Sequence, residues 1–148
     1  MSQIFIDIGP QKTATTFRQV ILFPKMNVQD YSHCFMNGTI QFLDRTGNKK
    51  TILSDEGLYG EFQKPNVTYL QRERAYKNLQ EWFPDAGIII CYRKLESWKK
   101  SLYKQYVWAG GMDTYDSWLD RIDKRVFDLE KYIERLHNDF DKVLVLPF

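Results

Sequence analysis

Two hydrophobic rhythms divide this chain. Residues 88–92 and 143–146 are short unbroken apolar runs, and Ile4, Phe5, Ile6 and Ile8 form another interrupted by Asp7, the pattern of strands buried on both faces in a parallel sheet. Elsewhere apolar positions recur every three to four residues, as in a helix with one buried side. Residues 15–23 predict a helix whose Phe17, Val20 and Ile21 cover the sheet and which Pro24 ends. Residues 70–83 predict a charged amphipathic helix stopped by Pro84, and residues 95–109 another stopped by Gly110 and Gly111. The same spacing runs through residues 115–140 by way of Trp118, Leu119, Ile122, Val126, Leu129, Ile133 and Leu136. Residues 39–44 and 49–53 flank Arg45-Thr46-Gly47-Asn48 and read as a hairpin or an irregular excursion.

Strands alternating with helices imply right-handed crossovers and a mainly parallel central sheet flanked by helices on both faces, an α/β three-layer sandwich. With 148 residues, 43% of them hydrophobic and 16% aromatic, the chain is expected to form one domain, residues 1–148, with a real core. A net charge of +2 does not suit a general nucleic-acid binder, so positive charge must act locally. Cys34 and Cys91 lack Cys-x-x-Cys spacing and read as reduced thiols. There is no basic-then-apolar leader pattern and no run of membrane-spanning length, so a soluble cytoplasmic protein is expected.

The candidate chemistry begins where the first strand ends, in Gly9-Pro10-Gln11-Lys12-Thr13-Ala14-Thr15-Thr16. Glycine and proline break the strand, and threonines stand where the next helix starts. A helix start offers unpaired N–H donors, and Lys12 adds a fixed charge, so an anion would be held there. A plain threonine-capped turn has the same local pattern. A Walker A loop is excluded, because no second glycine precedes the lysine. At the second strand's end, Arg93 occupies the edge where open α/β sheets bind ligands, and its planar fork suits phosphate.

Lys12-Thr13-Ala14-Thr15-Thr16 resembles the Lys-Thr-Gly-Thr-Thr loop of the sulfotransferases, a family with a P-loop-like fold, with Ala14 in place of the glycine. If that position needs a positive φ, alanine there weakens cofactor binding. Arg93 and Ser101 resemble the family's 3′-phosphate pair, an arginine at a strand end and a serine eight residues on. Leu53-Ser54-Asp55-Glu56 resembles a Leu-Ser-x-Glu segment of bacterial members. Tyr103-Lys104-Gln105-Tyr106 with Gly110-Gly111, and the closing Val-Leu-Val-Leu-Pro-Phe, are also similar, so the resemblance spans nearly the whole chain.

The resemblance implies 3′-phosphoadenosine 5′-phosphosulfate as donor, a hydroxyl or amine on a small molecule or carbohydrate as acceptor, and adenosine 3′,5′-bisphosphate as product. It places Gln11, Lys12, Thr13, Ala14, Thr15 and Thr16 around the 5′ end and Arg93 with Ser101 on the 3′-phosphate. Lys12 would stabilise charge in transfer, and no metal is required. For the acceptor's base, Glu56 is the first candidate and His33 the second. Family members continue past the Val-Leu-Pro-Phe strand with a Gly-x-x-Gly-x-Trp-Lys-like segment over the nucleotide, whereas this chain ends at Phe148. Three readings follow: a minimal sulfotransferase, one completed by a partner chain, or a nucleotide-binding module without turnover. Tyr59, Tyr103, Tyr106 and Trp108 read as packing rather than an acceptor pocket.

Overall fold

The computed structural model describes residues 4–26 and 50–147, and the backbone of 29–32. Among the described residues five strands form one sheet: β1 (Ile4–Asp7), β2 (Gln29–Ser32), β3 (Thr51–Ser54), β4 (Gly87–Tyr92) and β5 (Val143–Pro147). Their order is β2-β3-β1-β4-β5, and every neighbouring pair is parallel. The expected parallel α/β sandwich is therefore present. Of residues 49–53, expected as part of a hairpin or an irregular excursion, 51–53 instead lie in β3, an interior strand that pairs in parallel with β2 and β1. The other flanking segment, 39–44, lies outside the described residues.

Four helices pack on one side of the sheet: α2 (Thr68–Trp82), α3 (Leu95–Trp108), α4 (Tyr115–Arg121) and α5 (Leu129–Asp139). Because side chains alternate along a strand, Ile6, Ile8, Leu53, Ile88 and Ile90 share this side. They form one core with Tyr76, Leu79, Trp98, Leu102, Trp118, Tyr132 and Leu136 from the helices. Aromatic edges lock it, with Tyr59 and Tyr132 centroids 5.0 Å apart and Trp98 and Phe127 5.8 Å apart, both edge-on. Of the four aromatics read as packing, Tyr59, Tyr103 and Tyr106 do pack, but Trp108 stands 89% exposed.

The apolar spacing over 115–140 does not make one helix. Asp123 accepts a hydrogen bond from the Arg125 backbone N–H, and Asp128 from that of Lys131, so each starts a new segment: a 3₁₀ turn (Lys124–Phe127), then α5. The spacing survives because each piece still faces the same core.

On the other side of the sheet, α1 (Thr15–Phe17) runs into a π-helical turn (Arg18–Leu22) and a 3₁₀ turn (Phe23–Lys25). The orientation predicted for 15–23 is reversed. Arg18, Gln19 and Phe23 are buried, while Phe17, Val20 and Ile21 are exposed. The cause is Asp7, a fully buried carboxylate on this side of β1. A charge without water must be paired, and Arg18 takes that place, turning the apolar side chains outward.

Candidate functional site

All five strands point the same way, so β1, β3 and β4 end on one edge of the sheet. The chain leaves β1 toward β2 on one flank and leaves β4 toward β5 on the other. Since β1 and β4 are neighbours, the crevice beyond their carboxyl ends is a topological switch point, where open α/β sheets take ligands. The Gly9–Thr16 segment rises from β1 into this crevice, Arg93 follows β4, and Glu56 follows β3 on the same edge.

The loop is held from both sides. The Ile8 N–H donates to Ile89 O at 2.8 Å, prolonging the β1–β4 pairing, and the Trp98 indole N–H of α3 donates to Gln11 O at 2.7 Å. From below, Arg18 reaches four oxygens. Its Nε and Nη2 donate to the two Asp7 oxygens at 3.1 and 2.9 Å, Nη1 donates to Thr13 O at 2.6 Å, and Nη2 also reaches Thr15 Oγ1 at 3.5 Å. Asp7 Oδ2 accepts again from Ser54 Oγ at 2.7 Å, and Ser54 Oγ accepts from Gln19 Nε2 at 3.0 Å. A side chain at Gly9 would place its Cβ 2.2 Å from Arg18 Nη2, so the clamp requires glycine there.

Within this frame Lys12 and Ala14 adopt left-handed φ values of 64° and 61°. Ala14 thus has the positive φ that its glycine counterpart in the resembling loop accommodates without strain. Lys12 and Thr16 are exposed, Ala14 is half-buried, and Gln11, Thr13 and Thr15 are buried. The Thr13 hydroxyl donates to Pro10 O at 2.5 Å, so it is engaged within the turn.

Arg93 is half-buried and its Nε donates to Ser97 Oγ at 2.8 Å. Ser101 follows one turn later on the same side of α3 and is also half-buried, giving a line of Arg93, Ser97 and Ser101 at four-residue spacing. Ser97 was not singled out from the sequence, although its position four residues after a strand-end arginine was a usable signal. Arg93 also borders a groove of about 560 Å³ between the starts of α3 and α5, with Lys94, Trp98, Phe127 and Asp128.

Glu56 is half-buried and opens a 3₁₀ turn (Glu56–Tyr59) capped by Asp55, whose carboxylate accepts from the Gly57 N–H at 2.7 Å. His33 and Cys34 lie outside the described residues. Burial pushes the free Cys91 thiol up; nearby Arg18 opposes the shift and Asp7 adds to it. Among the described residues no group of three or more His, Cys, Asp or Glu side chains gathers to hold a metal ion. No described helix is long and apolar enough to cross a membrane.

The arrangement puts Lys12 and Arg93 just past the carboxyl ends of two adjacent parallel strands, at one edge of the sheet. It can receive an extended ligand carrying an anion at each end. No protein-family model, curated protein or solved structure matches this chain.

Proposed function

We propose that this chain is a 3′-phosphoadenosine 5′-phosphosulfate-dependent sulfotransferase acting in the cytoplasm on a hydroxyl or amine of a small molecule or carbohydrate. The observation that carries the reading is the rise of the Lys12 loop and of Arg93 from neighbouring parallel strands at the switch point. The donor set fits the nucleotide. Lys12, the exposed Thr16 and the loop's backbone suit the 5′ end, while Arg93 with Ser97 and Ser101 suits the 3′-phosphate.

The donor supplies the sulfuryl group. Lys12 places positive charge where negative charge gathers as the bond to the nucleotide phosphate breaks. The Arg18 clamp fixes the loop, and so the line of approach, before the acceptor arrives. Glu56, on the same edge, takes the acceptor's proton. A second copy or partner chain that covers the nucleotide is compatible with this reading.

One observation favours a different reading, a nucleotide- or phosphate-binding module without turnover. The Thr13 and Thr15 side chains are buried within the loop, leaving Thr16 as its exposed threonine. Incubation with the radiolabelled donor and a panel of acceptors separates the two, and Lys12→Ala should abolish label transfer without unfolding the chain. Calorimetry should show adenosine 3′,5′-bisphosphate bound more tightly than adenosine 5′-monophosphate, by about 1.5–3 kcal/mol for a charge-assisted contact, with Arg93→Ala erasing the difference. Binding with that preference but no transfer supports the module. Absence of binding overturns both readings.

A further inference from the structure

A second cleft, of about 130 Å³, opens between α2 and α5 away from the phosphate loop. Two of its lining residues carry buried polar atoms that lack a hydrogen-bond partner among the described residues: the Arg72 Nε and the Tyr132 hydroxyl. Arg72 is 4% exposed and Tyr132 3%. The rest of the Arg72 guanidinium is engaged. Its Nη1 donates to Tyr59 Oη at 3.2 Å and to Arg125 O at 3.1 Å, its Nη2 pairs with Glu73 at 3.4 Å, and the Tyr132 ring centroid lies 4.8 Å from its Cζ. Buried donors left unmade are unfavourable and uncommon in folded proteins, so two in one cleft point to a missing acceptor.

The rim supplies the matching charge. Arg125 lies over the Tyr69 ring at 3.8 Å and is fixed there by its pair with Asp123. Lys131 is exposed beside it, and Arg135 completes the cationic set. The two carboxylates of the cleft are already occupied. Glu73 bridges Arg72 and Arg135, the latter at 2.6 Å, and Asp128 caps α5 by accepting from the Lys131 N–H at 3.2 Å. Burial pushes the Tyr132 phenol up, so it keeps its proton as a donor.

We propose that this cleft is an oxyanion site that takes one phosphate, sulfate or carboxylate group, with the Tyr132 hydroxyl and the Arg72 Nε–H as donors and Arg125 and Lys131 as rim cations. The site is independent of the sulfuryl-transfer reading. Asp128 borders both this cleft and the groove beside Arg93, so an anion on a longer ligand can sit here while its remainder follows that groove.

The test uses the full chain titrated with inorganic phosphate, sulfate, acetate and glucose 6-phosphate, read by backbone NMR shifts and by melting temperature. Saturable millimolar binding that shifts the amides of Arg72, Arg125 and Lys131 is expected. The double variant Arg125→Ala with Lys131→Ala should weaken it about tenfold or more, whereas Lys12→Ala and Arg93→Ala should leave it intact. Tyr132→Phe should raise the melting temperature without anion, because the orphan hydroxyl is gone, and remove the rise that anion gives the parent. Tighter binding of glucose 6-phosphate than of inorganic phosphate identifies the anion as part of a larger ligand; equal binding identifies a free ion. Anion binding lost with Lys12→Ala but kept in the double variant overturns the proposal, as does absence of saturable binding in the millimolar range.

Discussion

Ile6 and Asp7 are neighbours on β1, both fully buried, and they face opposite ways. Ile6 meets a core of aliphatic and aromatic side chains from four helices, where contacts are many, nondirectional and individually small. Asp7 meets one arginine and one serine through hydrogen bonds of fixed geometry, under the short helical segment that carries Arg18. A hydrophobic side of this kind supplies stability that tolerates small shifts. The polar side adds little net stability, because desolvating both charges offsets much of their attraction, but it fixes where Arg18 sits. Since Arg18 also holds Thr13 O and reaches Thr15, the loop that carries Lys12 inherits that position. Directional bonding thus stands on the side that must place a charge, and bulk packing on the side that must hold the domain together.

The largest expected effect tests this division directly. Asp7→Ala leaves the Arg18 guanidinium buried without its carboxylate and should destabilise the fold by about 3–5 kcal/mol in urea melts. Arg18→Ala added to it should cost far less than it does alone, because the pair is lost as a unit. Equal, additive losses would mean that the two residues act separately and that the clamp is no clamp. Next in size, Leu136→Ala in the helix-side core should cost about 2–5 kcal/mol through the cavity it leaves. Combined with Asp7→Ala it should add to within about 0.5 kcal/mol, since the residues share no partner. A larger coupling would show that the two sides of the sheet form one network.

The sequence was most legible where the physics is simplest. Continuous apolar runs gave β4 and β5, a run interrupted by Asp7 gave β1, and α2 and α3 appeared within two residues of their expected bounds, stopped by Pro84 and by Gly110-Gly111. Residues 15–23 misled because periodicity counts apolar positions and does not see what the sheet offers. A lone aspartate inside an apolar strand, with an arginine on the next segment, was the signal that the buried side would be polar. In 115–140 the aspartates at 123 and 128 were the caps that divided one spacing into three segments. Lys12 and Arg93 were legible as site candidates because each follows a strand end, and Glu56 through the Leu-Ser-x-Glu resemblance, and parallel pairing brings all three to one edge. Strand order was not legible, because it depends on which strands pair and not on any one segment. Ser97 was missed for a local reason, since attention to the eight-residue spacing passed over the residue that touches Arg93.

A third test uses three phenols of the helix side, Tyr59, Tyr76 and Tyr132. Burial pushes Tyr59 up from 10.0 to about 12, and burial likewise raises Tyr76 and Tyr132. A raised pKa in the folded chain means that the unfolded chain releases its proton first as pH rises. Stability from these groups is therefore complete below the ordinary phenol range and is lost as pH climbs through it toward the folded values. Each buried phenol contributes a slope of up to about 1.4 kcal/mol per pH unit in that window. Urea midpoints should hold steady through neutral pH and fall in the alkaline range where free tyrosine ionises. Tyr59→Phe should flatten that fall. An unchanged profile in the variant would show that Tyr59 ionises alike in both states.

The smallest effect concerns the loop itself. Ala14 holds φ 61° and ψ 25°, a left-handed conformation that disfavours any residue with a Cβ by about 1–2 kcal/mol. Glycine removes that strain but gains freedom in the unfolded chain, worth about 0.5–1 kcal/mol in the opposite direction. Ala14→Gly should therefore stabilise the fold by roughly 0.5–1 kcal/mol, read from urea melts. Lys12, at φ 64°, provides the control. Lys12→Gly should gain comparable backbone relief while losing the charge, so stability should rise as nucleotide affinity falls. If Ala14→Gly instead destabilises the chain, the methyl group makes contacts that outweigh its strain, and glycine in the resembling loop answers a need for close backbone approach rather than for a positive φ.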